Sequence, residues 1–156
     1  MTDVRAATPA DKQNWLRMRR ALWPEDEGDS HAREIDEFFA GRLNMPLEVL
    51  LASDEKGNAV GFAELSIRPY AEDCETDRVA YLEGWYVEPH ARRQGVGRAL
   101  VVAAERWAKA QGCTEFGSDA LIDNHASAAA HRAVGFTETV QIRCFRKTLE
   151  REPASN

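Results

Sequence analysis

At 156 residues, with 44% apolar and 29% charged side chains, the chain can bury the core of one domain, and it holds no apolar run long enough to span a bilayer. The formal net charge of −6 argues against nucleic acid as the main partner, and it suits a cationic ligand if the acidic groups line a cleft. Three cysteines, Cys74, Cys113 and Cys144, show no metal-ligand spacing, and the first residues, MTDVRAATPADKQ, lack the apolar stretch of a signal peptide; together these predict reduced thiols in a cytoplasmic protein.

Strand and helix patterns alternate from there. VRAA is a short first strand. Thr8 then caps a helix with Pro9 at its first position, Asp11 in its first turn, and Trp15, Met18 and Leu22 at helical spacing. Trp23-Pro24 ends it, because a residue before proline avoids helical geometry. EDEGDS is an acidic loop, and a second helix runs from about His31 to Gly41. LEVLLAS and AVGFAELSIRPY are strands joined by the hairpin turn DEKGN. After the acidic loop AEDCETDR comes VAYLEGWYV, a strand rich in β-branched and aromatic residues. A helix follows from Gly95 to about Gln111, stopped by Gly112; TEFGSDA is a short strand; NHASAAAHRAVGF is a helix ended by Gly135. TETVQIRCFRKTL closes the pattern as a last strand, and REPASN is a frayed tail. No repeat or linker divides residues 1–150, so one α/β domain is expected: a mixed sheet with helices on both faces.

The segment ARRQGVGRAL sets three arginines and two glycines where a strand gives way to a helix. The first N–H groups of a helix have no partners, the dipole is positive at that end, and glycine lets a ligand approach the backbone. Arg92, Arg93 and Arg98 add charge suited to phosphate oxygens. The segment is neither a P-loop nor the dinucleotide fingerprint, since both GK[ST] and GxGxxG are absent. From spacing alone, it either holds a pyrophosphate of another ligand or merely shapes a turn with solvated arginines.

VEPHARRQGVGRALV resembles the acetyl-CoA motif of the GNAT superfamily of N-acetyltransferases, with the pattern falling on Arg92, Gly95 and Gly97. NHASAAAHRAVGF resembles the closing motif of that family. The resemblance implies a central, mostly antiparallel twisted sheet with a splayed strand pair and helices on both faces. It implies that Arg92, Arg93, Gln94, Gly95, Val96, Gly97 and Arg98 clasp the coenzyme A pyrophosphate. Trp85, Tyr86 and Val87 would line the pantetheine and acetyl group, and Asn124 would reach the pantetheine. Gly97 would lie where backbone meets phosphate, so that Gly97→Val weakens acetyl-CoA binding and leaves the fold intact. His131 falls where many members carry a tyrosine that protonates the leaving thiolate; the favoured reading here is a helix residue packed beside the coenzyme. No metal is implied.

A narrower resemblance, carried by ALWP, LEGWYV, GC, SDA and AHRAVGFTET, is to aminoglycoside 6′-N-acetyltransferases of the chromosomal, GNAT-fold type. It implies acetyl transfer to an amine of an aminoglycoside, substrate contacts at Trp23, Tyr70, Glu83 and Asp119, catalytic roles for Glu83 and Asp119, and a homodimer. A polycationic amine would enter an acidic cleft between the 25–29 loop, the 72–77 loop, Glu83 and Asp119. The residues alone leave alternatives open. Glu83 lies inside an apolar strand run, where an unpaired carboxylate is costly, so it serves a ligand or pairs with a core arginine. Asp119, at the carboxyl end of a strand, serves a ligand or caps its loop. The chain departs from the family on the substrate side: RPYAEDCE stands where HDYVNG is frequent, and Thr139-Val140 replace a frequent Glu. Transfer to another polyamine, peptide or metabolite amine, and a non-catalytic acyl-CoA-binding module, are the alternative functions. Trp15 and Trp107 read as core, Cys113 as buried, and the alternation of the last strand as an edge open to another chain.

Overall fold

The computed structural model describes residues 2–25 and 29–155. In chain order the elements are β1 (Asp3–Ala6), α1 (Lys12–Leu22), α2 (Ser30–Phe39), β2 (Glu48–Ser53), β3 (Ala59–Arg68), β4 (Val79–Val87), α3 (Val96–Ala110), β5 (Phe116–Ser118) and α4 (His125–Ala133). A single turn of 3-10 helix leads into α1, and another precedes the α3 loop.

The capping signal before α1 is realised through Asp11. Its carboxylate accepts from the Thr8 backbone N–H at 2.7 Å and from both arms of the Arg5 guanidinium at 2.8 and 2.9 Å. The Arg5 hydrogen bonds, the largest cause, hold the Asp11 carboxyl at about 2. Trp23 leaves helical geometry at φ −125°, ψ 73°, as a residue before proline should.

The strands lie in the order β1-β2-β3-β4-β5, antiparallel except for the parallel β4–β5 pair. The period of two along β2 divides the core. Leu50 and Ala52 pack with Leu100, Val101 and Ala104 of α3, whereas Val49 and Leu51 pack with Trp15, Met18 and Ile35 of α1 and α2. The helices therefore cover both faces, as the alternation of elements predicts.

A bulge shapes the middle of the sheet. Glu64 pairs with Gly84 and Leu65 with Leu82, so Glu83 is an extra residue on β4. Leu82 and Trp85 face α3, whereas Gly84 and Tyr86 face α1. Glu83 bonds Ser66 and Arg68, on the α1 side as well, so two successive residues point to the same face.

One expected element is not formed. Among the described residues the ladder pairs none of 137–149, and this segment is exposed, with Ile142, Phe145 and Leu149 facing solvent. A strand exists only through pairing, and β5 offers just three residues at the sheet edge.

Beneath α1, Glu64 is 2% exposed. It accepts from Trp15 Nε1 at 2.9 Å and from Arg19 Nε at 2.7 Å, and Arg19 bonds Glu34 of α2 at 2.7 Å through Nη1. Removing one partner of a buried pair strands the other charge. Glu64→Gln should therefore lower stability by about 3 kcal/mol, read as a drop in the urea midpoint at unchanged slope. A loss below about 1 kcal/mol would mean that the pair does not hold α1 to the sheet.

Candidate active site

The parallel ladder between β4 and β5 spans only Ala80, Tyr81 and Leu82 against Phe116, Gly117 and Ser118. Beyond that point β4 continues to Val87 without its neighbour, leaving a fork in the sheet. The Ser118 hydroxyl sits at the vertex, 3.3 Å from the Leu82 carbonyl. The outward backbone groups of residues 83–87 face this opening, free of a ladder to β5.

The loop after β4 curls in front of the fork. Arg93 at φ 60° and Gly95 at φ 84° both take left-handed backbone, and Gly95 is the N-cap of α3. A Cβ on Gly95 would meet nothing within 4 Å, so the space ahead of the helix N-terminus is open. With the partial positive charge there, this is an anion-binding geometry. Gly97 has a different reason from the expected one. A Cβ there would stand 3.1 Å from the Trp85 ring, so this glycine makes room for the tryptophan, and Gly97→Val would disturb packing as well as any ligand. Arg92 Nε donates to the Val87 carbonyl at 2.8 Å, Gln94 to the His90 carbonyl at 3.1 Å, and Arg98 Nη2 to the Ala133 carbonyl at 2.6 Å. Each guanidinium keeps further N–H donors for a ligand. Val96 opens α3 as a buried residue.

Trp85 lies on the α3 side of the fork. Its indole N–H is buried without a hydrogen-bond partner, a donor that a ligand carbonyl would satisfy. Tyr86 turns its ring toward the α1 cluster and donates its hydroxyl to Glu88 at 3.2 Å, so only its backbone faces the fork. Asn124 caps α4, its side-chain oxygen accepting from Ser127 N–H at 3.0 Å. His131 Nδ1 lies 2.7 Å from the Ser127 carbonyl and so carries the proton, which leaves Nε2 to accept from the Ser118 hydroxyl at 2.7 Å. The ring stands edge-on to Trp85. The loop amides, the open space at Gly95, the orphan indole and the free edge of β4 fit a coenzyme A-type ligand running from α3 into the fork.

On the opposite face of the sheet, Glu83 does pair with an arginine. Arg68 Nε and Nη2 donate to its two oxygens at 2.8 and 2.7 Å, and Ser66 Oγ donates to Oε1. The Arg68 guanidinium lies 3.6 Å from the centroid of the Tyr81 ring. Tyr81 donates its hydroxyl to Asp119 Oδ2 at 2.9 Å, and burial, aided by that carboxylate, pushes the phenol well above its ordinary range. Glu83 and Asp119 thus belong to one chain of contacts. Trp23, the residue after α1, lies against the next residue of β4: a Cβ on Gly84 would stand 2.6 Å from its ring. Beside Trp23 opens a cleft of about 580 Å³, walled by Trp23, Glu25, Ser30, His31, Glu34 and Leu121 among others.

Several expectations change here. Among the described residues, none of 72–77 lines this cleft, and neither does Glu83 or Asp119; the Glu115 carboxylate binds the 72–77 loop through the N–H groups of Glu75 and Thr76. Glu25 lines the cleft, Asp29 pairs with Arg20, and residues 26–28 of that loop lie outside the described residues. Tyr70 is 65% exposed, which leaves its side chain accessible to a ligand. Arg68, Tyr81 and Glu34 were not anticipated. The signal for Arg68 is faint but present: Glu64, Ser66 and Arg68 alternate along one face of an otherwise apolar strand.

Residues 13–136 match the model of the acetyltransferase (GNAT) family. An aminoglycoside N(6′)-acetyltransferase type 1 of Klebsiella aerogenes is 57% identical, with 94% of this chain and 96% of that protein covered. One of Stenotrophomonas maltophilia is 40% identical over 94% of each. A solved structure of AAC(6′)-Iy in complex with the bisubstrate analogue CoA-S-monomethyl-acetylneamine has a TM-score of 0.87 at 33% identity, covering 96% of this chain and 99% of that one. AAC(6′)-Ih from Acinetobacter baumannii has a TM-score of 0.87 at 36% identity, covering 96% and 100%. A forked β4–β5 pair, a glycine-bearing loop at a helix N-terminus, and a family match across both are one result reached three ways: this chain belongs to the GNAT family of acetyltransferases.

Proposed function

We infer that this chain is an acetyl-CoA-dependent aminoglycoside 6′-N-acetyltransferase, an enzyme that confers aminoglycoside resistance. The observation that carries this reading is adjacency. Trp23 packs on Gly84, so an acid-walled cleft opens directly beside the forked strand. An aminoglycoside carries several ammonium groups; Glu25 and Glu34 of the cleft wall, and Glu83 and Asp119 of the neighbouring chain of contacts, offer it carboxylates.

Acetyl-CoA supplies the reactive thioester. Residues 92–98 hold its pyrophosphate, Trp85, Tyr86 and Val87 its pantetheine, with Asn124 nearby, and Trp23, Tyr70, Glu83 and Asp119 hold the amine. Asp119 takes the proton of the attacking ammonium, directly or through water. Glu83, committed to Arg68, serves binding and orientation more than proton transfer. The free amine then attacks the acetyl carbon, the carbon–sulfur bond breaks, and the proton lost by the new amide nitrogen passes to the departing thiolate, which leaves as coenzyme A. N–H groups near Val87 stabilise the charge that develops on the carbonyl oxygen, and alignment of amine and thioester supplies much of the rate. We assign residues 1–150 to one acetyltransferase domain. A cytoplasmic location is supported by three cysteines that form no disulfide. A homodimer is supported by the exposed apolar residues of the 137–149 arm and by the short β5 at the sheet edge, both of which suit a second copy.

Release of coenzyme A thiol in the presence of aminoglycosides tests the reading directly; silence across a panel of them, with turnover of another amine, would replace the substrate. The phosphate loop is tested at Arg93, where glycine removes a charge and relieves left-handed backbone. Arg93→Gly should weaken acetyl-CoA roughly 10- to 100-fold by calorimetry with no loss of thermal stability, the loss of one charge-assisted contact. Asp119→Asn separates proton transfer from binding. As base, its loss lowers the turnover number and moves the acid limb of the pH–rate profile; as a binding group only, it raises the Michaelis constant. Light scattering should give the mass of a dimer, and a monomer at tens of micromolar would remove that assignment.

A further inference from the structure

We propose that Arg68 is the positioning residue of the amine site, a resident cation that fixes Glu83 and Tyr81 and sets the charge that Glu83 and Asp119 together present to the substrate. The inference rests on the aminoglycoside reading of the cleft and adds a residue to it.

Arg68 ends β3, two residues beyond Ser66 and on the same face. Its side chain is 29% exposed and that of Glu83 is 13% exposed, so the pair lies at the boundary of the core with one edge reaching solvent. The two bonds from Nε and Nη2 fix the carboxylate plane of Glu83, and the flat face rests on Tyr81 at 3.6 Å. Tyr81 in turn donates to Asp119. Ser66, Glu83, Arg68, Tyr81 and Asp119 therefore form one continuous chain that spans both carboxylates assigned to the amine. Lysine cannot reproduce it, since an ammonium neither forks nor stacks as a plane.

The charges settle what removal should do. Two carboxylates and one guanidinium leave this chain of contacts with one negative charge. Without Arg68 that becomes two, so attraction for a polycation increases. At the same time Glu83 loses the partner that fixes it, and Asp119 loses the support beneath Tyr81. Binding and turnover should thus move in opposite directions, which a residue that only stabilises the fold would not cause.

The test is steady-state kinetics of wild type, Arg68→Gln and Arg68→Lys with kanamycin at several salt concentrations, with melting temperatures alongside. In Arg68→Gln the turnover number should fall about 10- to 100-fold from misalignment. Its Michaelis constant for the drug should not rise, and should become more sensitive to salt. Arg68→Lys restores the charge and the wild-type salt response but not the turnover; should the glutamine variant fail to fold, the lysine variant alone carries this expectation. A glutamine variant with wild-type turnover, a rise in its Michaelis constant, or full recovery of turnover by lysine would overturn the proposal. A wild-type protein that binds acetyl-CoA yet neither binds nor acetylates kanamycin or other aminoglycosides would overturn the function and this inference with it, whereas an active wild type beside an unaffected variant sinks the inference alone.

Discussion

Glu64 sits in the middle of β3, almost sealed from solvent, and Trp15 and Arg19 of α1 reach down to it. A carboxylate so placed is costly unless it is ionised among donors, because burial pushes its pKa up while the guanidinium and indole oppose that shift. Once formed, the contact leaves α1 little freedom to slide over the sheet. Arg19 also bonds Glu34 and lies 3.3 Å from His31 of α2, and His31 reaches the Trp23 carbonyl at 3.1 Å. The end of α1, the start of α2 and the sheet are therefore set by one buried polar cluster. Trp23 comes to lie against Gly84 because of it, and the cleft takes its wall from the same residues.

The bulge at Glu83 is the second constraint. A regular β4 would alternate throughout, and one of Tyr81, Gly84 and Tyr86 would have to face α3. With the extra residue, Tyr81, Glu83, Gly84 and Tyr86 are all available to the α1 side, while Leu82 and Trp85 stay with α3. The bulge lies close to where β5 parts from β4 after Leu82. One strand thus presents two compartments: its free edge and Trp85 lie toward α3, and Glu83 lies toward α1, the side proposed for the amine. The two meet where an amine must approach a thioester.

Polar side chains near the site do double duty. Arg98 secures the end of α4 to the start of α3, Arg92 bonds the last carbonyl of β4, and Asn124 starts α4. His131 holds the fork vertex through Ser118. Such groups stiffen the pocket before any ligand arrives, which reduces the ordering that binding must impose.

Much of this was legible in the chain itself. The hydrophobic period and the punctuation by proline and glycine located the strands and helices from Asp3 to Ala133, because those signals are local in sequence. The segment ARRQGVGRAL was legible for the same reason: a helix N-terminus with glycines and arginines carries its chemistry within ten residues. What pairs across the sheet was not legible. Arg68 and Glu83 are separated by a loop and a bulge, Tyr81 and Asp119 by an entire helix, and Arg19 and Glu64 by a helix and a strand; only register and packing bring them within hydrogen-bond reach. The alternation of TETVQIRCFRKTL is a local signal too, yet a strand needs a neighbour, and tertiary structure alone decides whether one is there.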